Sequence, residues 1–239
     1  MNTIKFEKRK TKVIAHRGLS SFEQENTNSA FVAAGNRSYY GIETDIYKTA
    51  DGNFIASHDK TLYRVSGENI SIEESTVNGL QGIILFDKDG SKNRLDLRPA
   101  TLDNYISICR KYDKYCILEI KSELNSEDVD NLIGLIKKLE YLDKVIFISF
   151  SYDNLLKIRE ILPNQPVQYV CSKINNDILN RLISHRFDID VHYKALNEAN
   201  IQRLHDAGLL INCWTVDKKK TAEKLALMGV DYITTNILE

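Results

Sequence analysis

The chain reads as an α/β fold of the (β/α)8 TIM-barrel class with a short insertion after the second strand. Three observations predict it. Apolar runs of strand length alternate with amphipathic runs of helix length from residue 12 to residue 236, as in a parallel sheet covered by crossover helices. Eight strand runs can be counted, the number that closes a barrel of this type. No glycine-rich GxGxxG follows the first strand, where HRGLSS stands at residues 16–21. An open dinucleotide-binding sheet therefore lacks its fingerprint.

The first strand is expected over residues 12–16. Thr27 is a candidate N-cap for a helix over 28–37, with Ala30, Phe31, Ala33 and Ala34 packing inward. A second strand covers 41–49, Asp51-Gly52 marks a turn, and 53–58 is a short extended piece. Residues 59–99 then break the rhythm, being polar and glycine-punctuated with one helix-like patch near 72–80. So long an excursion in a compact fold is usually functional. It is expected to lie over the site as an insertion of about 60–99, with too few apolar residues for a core of its own.

The alternation resumes with a helix over 102–112 and the third strand over 114–121. An amphipathic helix over 126–142 carries Val129, Leu132, Ile133, Ile136 and Leu139 on one face. Strand four (144–150) and a helix over 152–162, stopped by Pro163, come next. Strand five (167–171), a helix over 176–186 and a weaker strand six (187–192) follow. The chain closes with a helix over 198–207, strand seven (209–216), a helix over 219–228 and strand eight (231–236). Residues 1–239 are read as a single barrel domain.

Hydrophobic content of 43% supports a sizeable core, and 27% charged residues are ordinary for a soluble protein. A net charge of −1 gives no electrostatic reason to expect nucleic acid or an anionic membrane surface. The basic residues in 8–12 form too short a run and read as a solvated tail. Cys109, Cys116, Cys171 and Cys213 lie far apart without CxxC or metal-ligand spacing, so no disulfide is implied. The N-terminal MNTIKFEKRK lacks the apolar stretch of a signal peptide, and no run is long enough to span a membrane. The expectation is a cytoplasmic protein with no stable membrane association. Nothing in the pattern sets an oligomeric state.

Chemistry concentrates between Val13 and Asp59. His16 and Arg17 follow the first strand, and Glu43 and Asp45 sit two apart on the second, so both carboxylates project from one face. His58 closes the extended piece, and Glu119 and Lys121, again two apart, end the third strand. In barrels of this class active sites form at the C-terminal ends of the strands. Three converging carboxylates repel unless a cation joins them. An all-oxygen ligand set selects a hard divalent ion, Mg2+ or Ca2+. Arg17 and Lys121 add positive charge suited to a phosphate oxyanion. Two histidines flanking a phosphodiester can act as general base and general acid. The set spells metal-assisted cleavage of a phosphate ester. Trp214 and Phe150 each carry two readings, core or pocket mouth, and His192 could reach substrate from its strand end.

As an ordered set these motifs resemble the glycerophosphodiester phosphodiesterase family over nearly the whole chain. They are HRG, Glu25-Asn26-Thr27, Glu43 with Asp45, Asp51-Gly52, His58-Asp59, Glu119 with Lys121, WTVD at 214–217 and GVDYITTN at 229–236. The resemblance implies a (β/α)8 barrel that uses one divalent cation to hydrolyse glycerophosphodiesters to an alcohol and glycerol 3-phosphate. It implies metal ligation by Glu43, Asp45 and Glu119, acid/base roles for His16 and His58, and phosphate contacts from Arg17 and Lys121. Phe150 and Trp214 match positions expected to line the substrate cleft. Two departures stand out: Gln24 replaces the usual proline before Glu25, and Asn236 replaces the usual aspartate after Thr235.

Two other functions compete. A phospholipase D-type enzyme acting on lysophospholipids or sphingomyelin needs an apolar rim, for which GIILF at residues 82–86 is the one candidate. A catalytically silent metal- or phosphate-binding module is opposed by the second imidazole, which binding alone does not need.

Overall fold

The computed structural model describes residues 2–239. Strand β1 (Lys12–Ala15), helix α1 (Asn28–Gly35) and strand β2 (Gly41–Lys48) open the fold, and β3 (Phe54–Ala56) turns back antiparallel on β2. Two short helices, α2 (Tyr63–Ser66) and α3 (Val77–Gln81), lie in the excursion. Then come α4 (Leu102–Lys111), β4 (Tyr115–Ile120), α5 (Ser126–Lys138), β5 (Val145–Ser149), α6 (Tyr152–Ile161) and β6 (Val167–Cys171). The chain ends with α7 (Asn176–His185), β7 (Asp188–His192), α8 (Glu198–Asp206), β8 (Ile211–Trp214), α9 (Lys219–Leu227) and β9 (Tyr232–Thr235). Neighbours run parallel in the order β1-β9-β8-β7-β6-β5-β4-β2, and β1 also pairs with β2. The ring therefore closes on eight parallel strands, with β3 outside it. This is the expected (β/α)8 barrel.

Residues one apart on each strand serve different layers. One set, including Val13, Ile42, Leu118, Phe147 and Ile189, packs against the helices. The alternate set, Ile14, Ile117, Ile146, Ile148, Val170 and Tyr232, fills the barrel interior. Because both faces are covered, the strands are apolar almost throughout. Thr27 caps α1 as expected, accepting from the Ala30 amide at 3.2 Å.

The excursion differs from expectation. Its helix near 72–80 begins only at Val77, where the Thr76 side chain caps the Gly79 amide, and α2 was not foreseen. Leu62, Ile72, Leu80, Ile83, Leu85 and Leu97 bury together against Tyr47 and Ile55 of the β2–β3 hairpin. The segment thus forms a satellite core that borrows part of its apolar surface from the barrel. Ile83 and Leu85 of the GIILF run are buried there, while Ile84 and Phe86 stay partly exposed. Helix α5 stops at Lys138 rather than at 142, because Glu140 takes a left-handed φ of 53°. Among the described residues no helix is long and apolar enough to cross a membrane, and all four cysteines are buried and free.

Gly18 is required at the first βα turn. Its φ is +77°, and a Cβ there would lie 2.6 Å from the Ala30 carbonyl carbon on α1. Gly18→Ala is expected to destabilise the fold by about 2 kcal/mol or more, from left-handed strain and overpacking together. Urea denaturation of the two proteins checks it.

Candidate active site

The C-terminal ends of the strands surround one cleft. His16, Arg17, Glu43, His58, Glu119, Lys121, Phe150 and Trp214 all line it, joined by Ile148, Val170, Asp190 and Thr234. Side-chain alternation explains the convergence, since residues spaced by two share a strand face. Glu43 with Asp45, Glu119 with Lys121 and Ile148 with Phe150 all use this spacing. Phe150 is 47% exposed at the rim, its ring edge-on to Trp214 at 6.1 Å. Trp214 in turn packs edge-on against His192 at 5.4 Å, which places His192 behind the indole.

The carboxylates meet where β2 and β4 pair, with Asp45 opposite Glu119. Glu43, Asp45 and Glu119 each offer one oxygen, all within 4.8 Å of one another. Arg17 adopts φ 55°, which turns its backbone N–H onto Glu43 Oε2 at 2.8 Å. Glu43 Oε1 is buried without a partner. Asp45 Oδ2 accepts from Asn26 Nδ2 at 3.0 Å and lies 3.2 Å from Arg17 Nε. Lys121 Nζ lies 2.8 Å from Glu119 and 3.5 Å from Asp45. Two cations against three buried acids leave the cluster short of positive charge. Burial, then the charges of Asp45 and Glu119, push Glu43 well above the usual carboxylate range. Burial and Asp45 push Glu119 up to about 7 despite Lys121. An orphaned buried oxygen and raised acids on an all-oxygen set fit a hard divalent cation.

Both histidines are held through Nδ1. Asn236 Oδ1 lies 2.8 Å from His16 Nδ1, and it also accepts from Ser20 Oγ at 2.7 Å. Asp217 fixes which way that amide faces: it accepts from Asn236 Nδ2 at 2.7 Å and from the Asn236 backbone N–H at 2.8 Å. With the amide nitrogen on Asp217, the oxygen must face His16, which assigns the proton to Nδ1 and leaves the Nε2 lone pair free. Burial of the ring, then the charge of Arg17, lower His16 to about 4, although one edge stays open to the cleft. His58 Nδ1 instead bonds a carboxylate, Asp59 Oδ1, at 2.7 Å.

A charged bridge links the two histidine loops. Arg64, from α2, donates through Nε to Asp59 at 2.6 Å and grips Glu25 with both terminal nitrogens at 3.0 and 2.7 Å. Glu25 also accepts from Arg17 at 2.9 Å. Burial opposes ionisation of Glu25, but the Arg64 and Arg17 contacts hold it down at about 2. Sequence reasoning assigned no role to Arg64, Asp217 or Asp190. Asp190 carries a legible signal, since Asp188, Asp190 and His192 alternate in a strand buried on both faces.

A closed parallel barrel with three clustered carboxylates and two held imidazoles in one cleft has the make-up of a phosphoester hydrolase. The glycerophosphoryl diester phosphodiesterase family model matches residues 16–239. The chain belongs to this family and is a phosphodiesterase. Among its relatives, the glycerophosphodiester phosphodiesterase of Caldanaerobacter subterraneus is 28% identical over 95% of this chain and 94% of its own. That of Bacillus subtilis is 25% identical over 93% and 82%. Among solved structures, an Oleispira antarctica phosphodiesterase in complex with the product sn-glycerol-3-phosphate superposes with a TM-score of 0.88. It is 23% identical and covers 94% of this chain and 92% of that one. The Thermotoga maritima glycerophosphodiester phosphodiesterase has a TM-score of 0.77 at 26% identity, over 95% and 94%.

Proposed function

We propose that this chain hydrolyses glycerophosphodiesters to an alcohol and sn-glycerol 3-phosphate. His16 is the base and His58 the acid, and Glu43, Asp45 and Glu119 hold one Mg2+ or Ca2+. The observation that carries this reading is the pairing of unlike Nδ1 partners on two imidazoles that line the same cleft as Glu43 and Glu119. A bound cation would supply Lewis-acid polarisation of the phosphoryl oxygens.

Arg17 and Lys121 bind the non-bridging oxygens and orient the phosphorus between the imidazoles. His16, neutral and protonated on Nδ1, takes a proton from the attacking water on Nε2. His58 gives its Nε2 proton to the departing alkoxide, and the Asp59 carboxylate holds the ring as Asp does in a serine-protease triad. The phosphorus–oxygen bond to the alcohol breaks as the new one forms, so one diester and one water yield one alcohol and one monoester. Arg64 ties the Asp59 loop to Glu25 and Arg17, which keeps acid and phosphate clamp in register. Lined by His16, Arg17, Glu43, His58, Glu119 and Lys121, the cleft favours deacylated head-group diesters such as glycerophosphocholine or glycerophosphoethanolamine over lipids.

Burial and Arg17 keep His16 easy to deprotonate, and the neutral Asn236 opposes them less than a carboxylate in its place would. Asn236→Asp is expected to move the acid limb of the kcat/KM profile to higher pH, because a carboxylate beside Nδ1 favours the imidazolium. A pH–rate profile from 3.5 to 7 checks the direction.

Product analysis with glycerophosphoethanolamine and a divalent cation tests the reaction itself. Ethanolamine and sn-glycerol 3-phosphate are expected. Glycerol and phosphoethanolamine instead would put the cleavage on the other bond and exchange the positions of acid and base. Choline release from lysophosphatidylcholine without turnover of soluble diesters would favour the lipid enzyme.

A further inference from the structure

We propose that Asp190 forms a hydroxyl-binding subsite on the floor of the cleft, which takes the glycerol arm of the substrate while the variable head group stays at the Phe150–Trp214 rim. This rests on the hydrolase reading above and names the part of the substrate that the inner cleft selects.

Asp190 lies on β7 in register with Val170 on one side and Asn212 on the other, and it lines the cleft. The residue is 3% exposed, and its Oδ1 is buried with no partner. Neighbouring buried polar groups are satisfied: Asn212 donates to Gln168 at 3.1 Å and accepts from Thr234 at 3.1 Å. An unpaired buried acid is costly, and such a group is retained where something from outside completes its bonding.

The surroundings choose the ligand chemistry. Burial, with the charge of Glu119, pushes Asp190 well above the usual carboxylate range. The unpartnered carboxyl oxygen accepts from an alcohol, and a proton on the group would add an O–H to give. The phosphate belongs with Arg17 and Lys121, which line the same cleft. Depth excludes a bulky group, because Asp190 sits two residues below the His192–Trp214 pair along β7. The Trp214 indole is anchored over it by a 3.3 Å bond from Nε1 to the Asp190 carbonyl oxygen. A small hydroxylated arm can lie against Ile148 and Val170 and end on this carboxyl.

The test is calorimetric binding of sn-glycerol 3-phosphate and of n-propyl phosphate, which lacks both hydroxyls, with Mg2+ and Ca2+ supplied in turn. The wild-type protein is expected to bind the glycerol ester about 10–100-fold more tightly. Asp190→Ala should bring the two ligands level by weakening only the glycerol ester, and Asp190→Asn, whose amide also donates and accepts, should keep part of the preference. The melting temperature of ligand-free Asp190→Ala should not fall, since no protein hydrogen bond is lost. Equal binding by the wild type, or a preference that survives Asp190→Ala, overturns the subsite. Equal weakening of both ligands with a lowered melting temperature also overturns it, marking a structural residue. Hydroxyl preference without turnover of any glycerophosphodiester supports the subsite and faults the hydrolase reading.

Discussion

His58→Ala is expected to lower kcat by about 10²–10⁴-fold, the usual worth of a positioned proton donor. KM and cation affinity should change little, because the imidazole is not among the clustered carboxylates. Without the Nε2 proton the alkoxide must leave as an anion. Its partner substitution, His16→Ala, should cost a similar factor through loss of the base. The two differ in pH response. His16 lies at about 4, so with the cation held saturating at every pH the wild-type acid limb should fall near that value, and His16→Ala should abolish it. Single-turnover rates from pH 3.5 to 9 check both variants. Turnover near the wild-type rate in either would sink the two-histidine mechanism.

The second large effect concerns the carboxylates. Adding a divalent cation is expected to raise the melting temperature more at pH 8 than at pH 5.5. Glu119 sits at about 7 and Glu43 is raised as well, so at pH 5.5 the cation must displace protons that it need not displace at pH 8. The folded protein holds these protons above the ordinary carboxylate range while the unfolded chain has lost them. Cation-free stability from these groups therefore falls as pH rises from about 4.5 to 7. His16 works the other way, costing stability as pH falls from about 6.5 to 4. Its effect is present with and without cation and cancels in the difference. At a thousand times the dissociation constant the gain is about 4 kcal/mol. Glu119→Gln should remove most of it. Thermal melts at the two pH values check both statements, and an equal or larger gain at pH 5.5 would contradict the charge account.

The barrel was legible because its strands and helices repeat at their own periods, and the spacing by two on β2 and β4 made the carboxylate set legible as well. What escaped reading depends on tertiary contact. Arg64 stands 39 residues from Glu25 in an excursion without periodicity, and only the folded hairpin brings them together. The satellite core escaped because its apolar residues are scattered singly between Leu62 and Leu97. Helix α5 was read too long because Leu139 and Leu142 continue its apolar face past the left-handed Glu140. Asn236 was noticed as a missing charge, but its contact with His16 across 220 residues belongs to barrel closure.

The most direct measurement is turnover of glycerophosphocholine by EDTA-treated protein, followed by coupled detection of sn-glycerol 3-phosphate, with Mg2+ or Ca2+ restored. Silence after EDTA and recovery with one of the two ions is the predicted result. Full turnover in EDTA, or no turnover with either ion in protein shown to be folded, would contradict it.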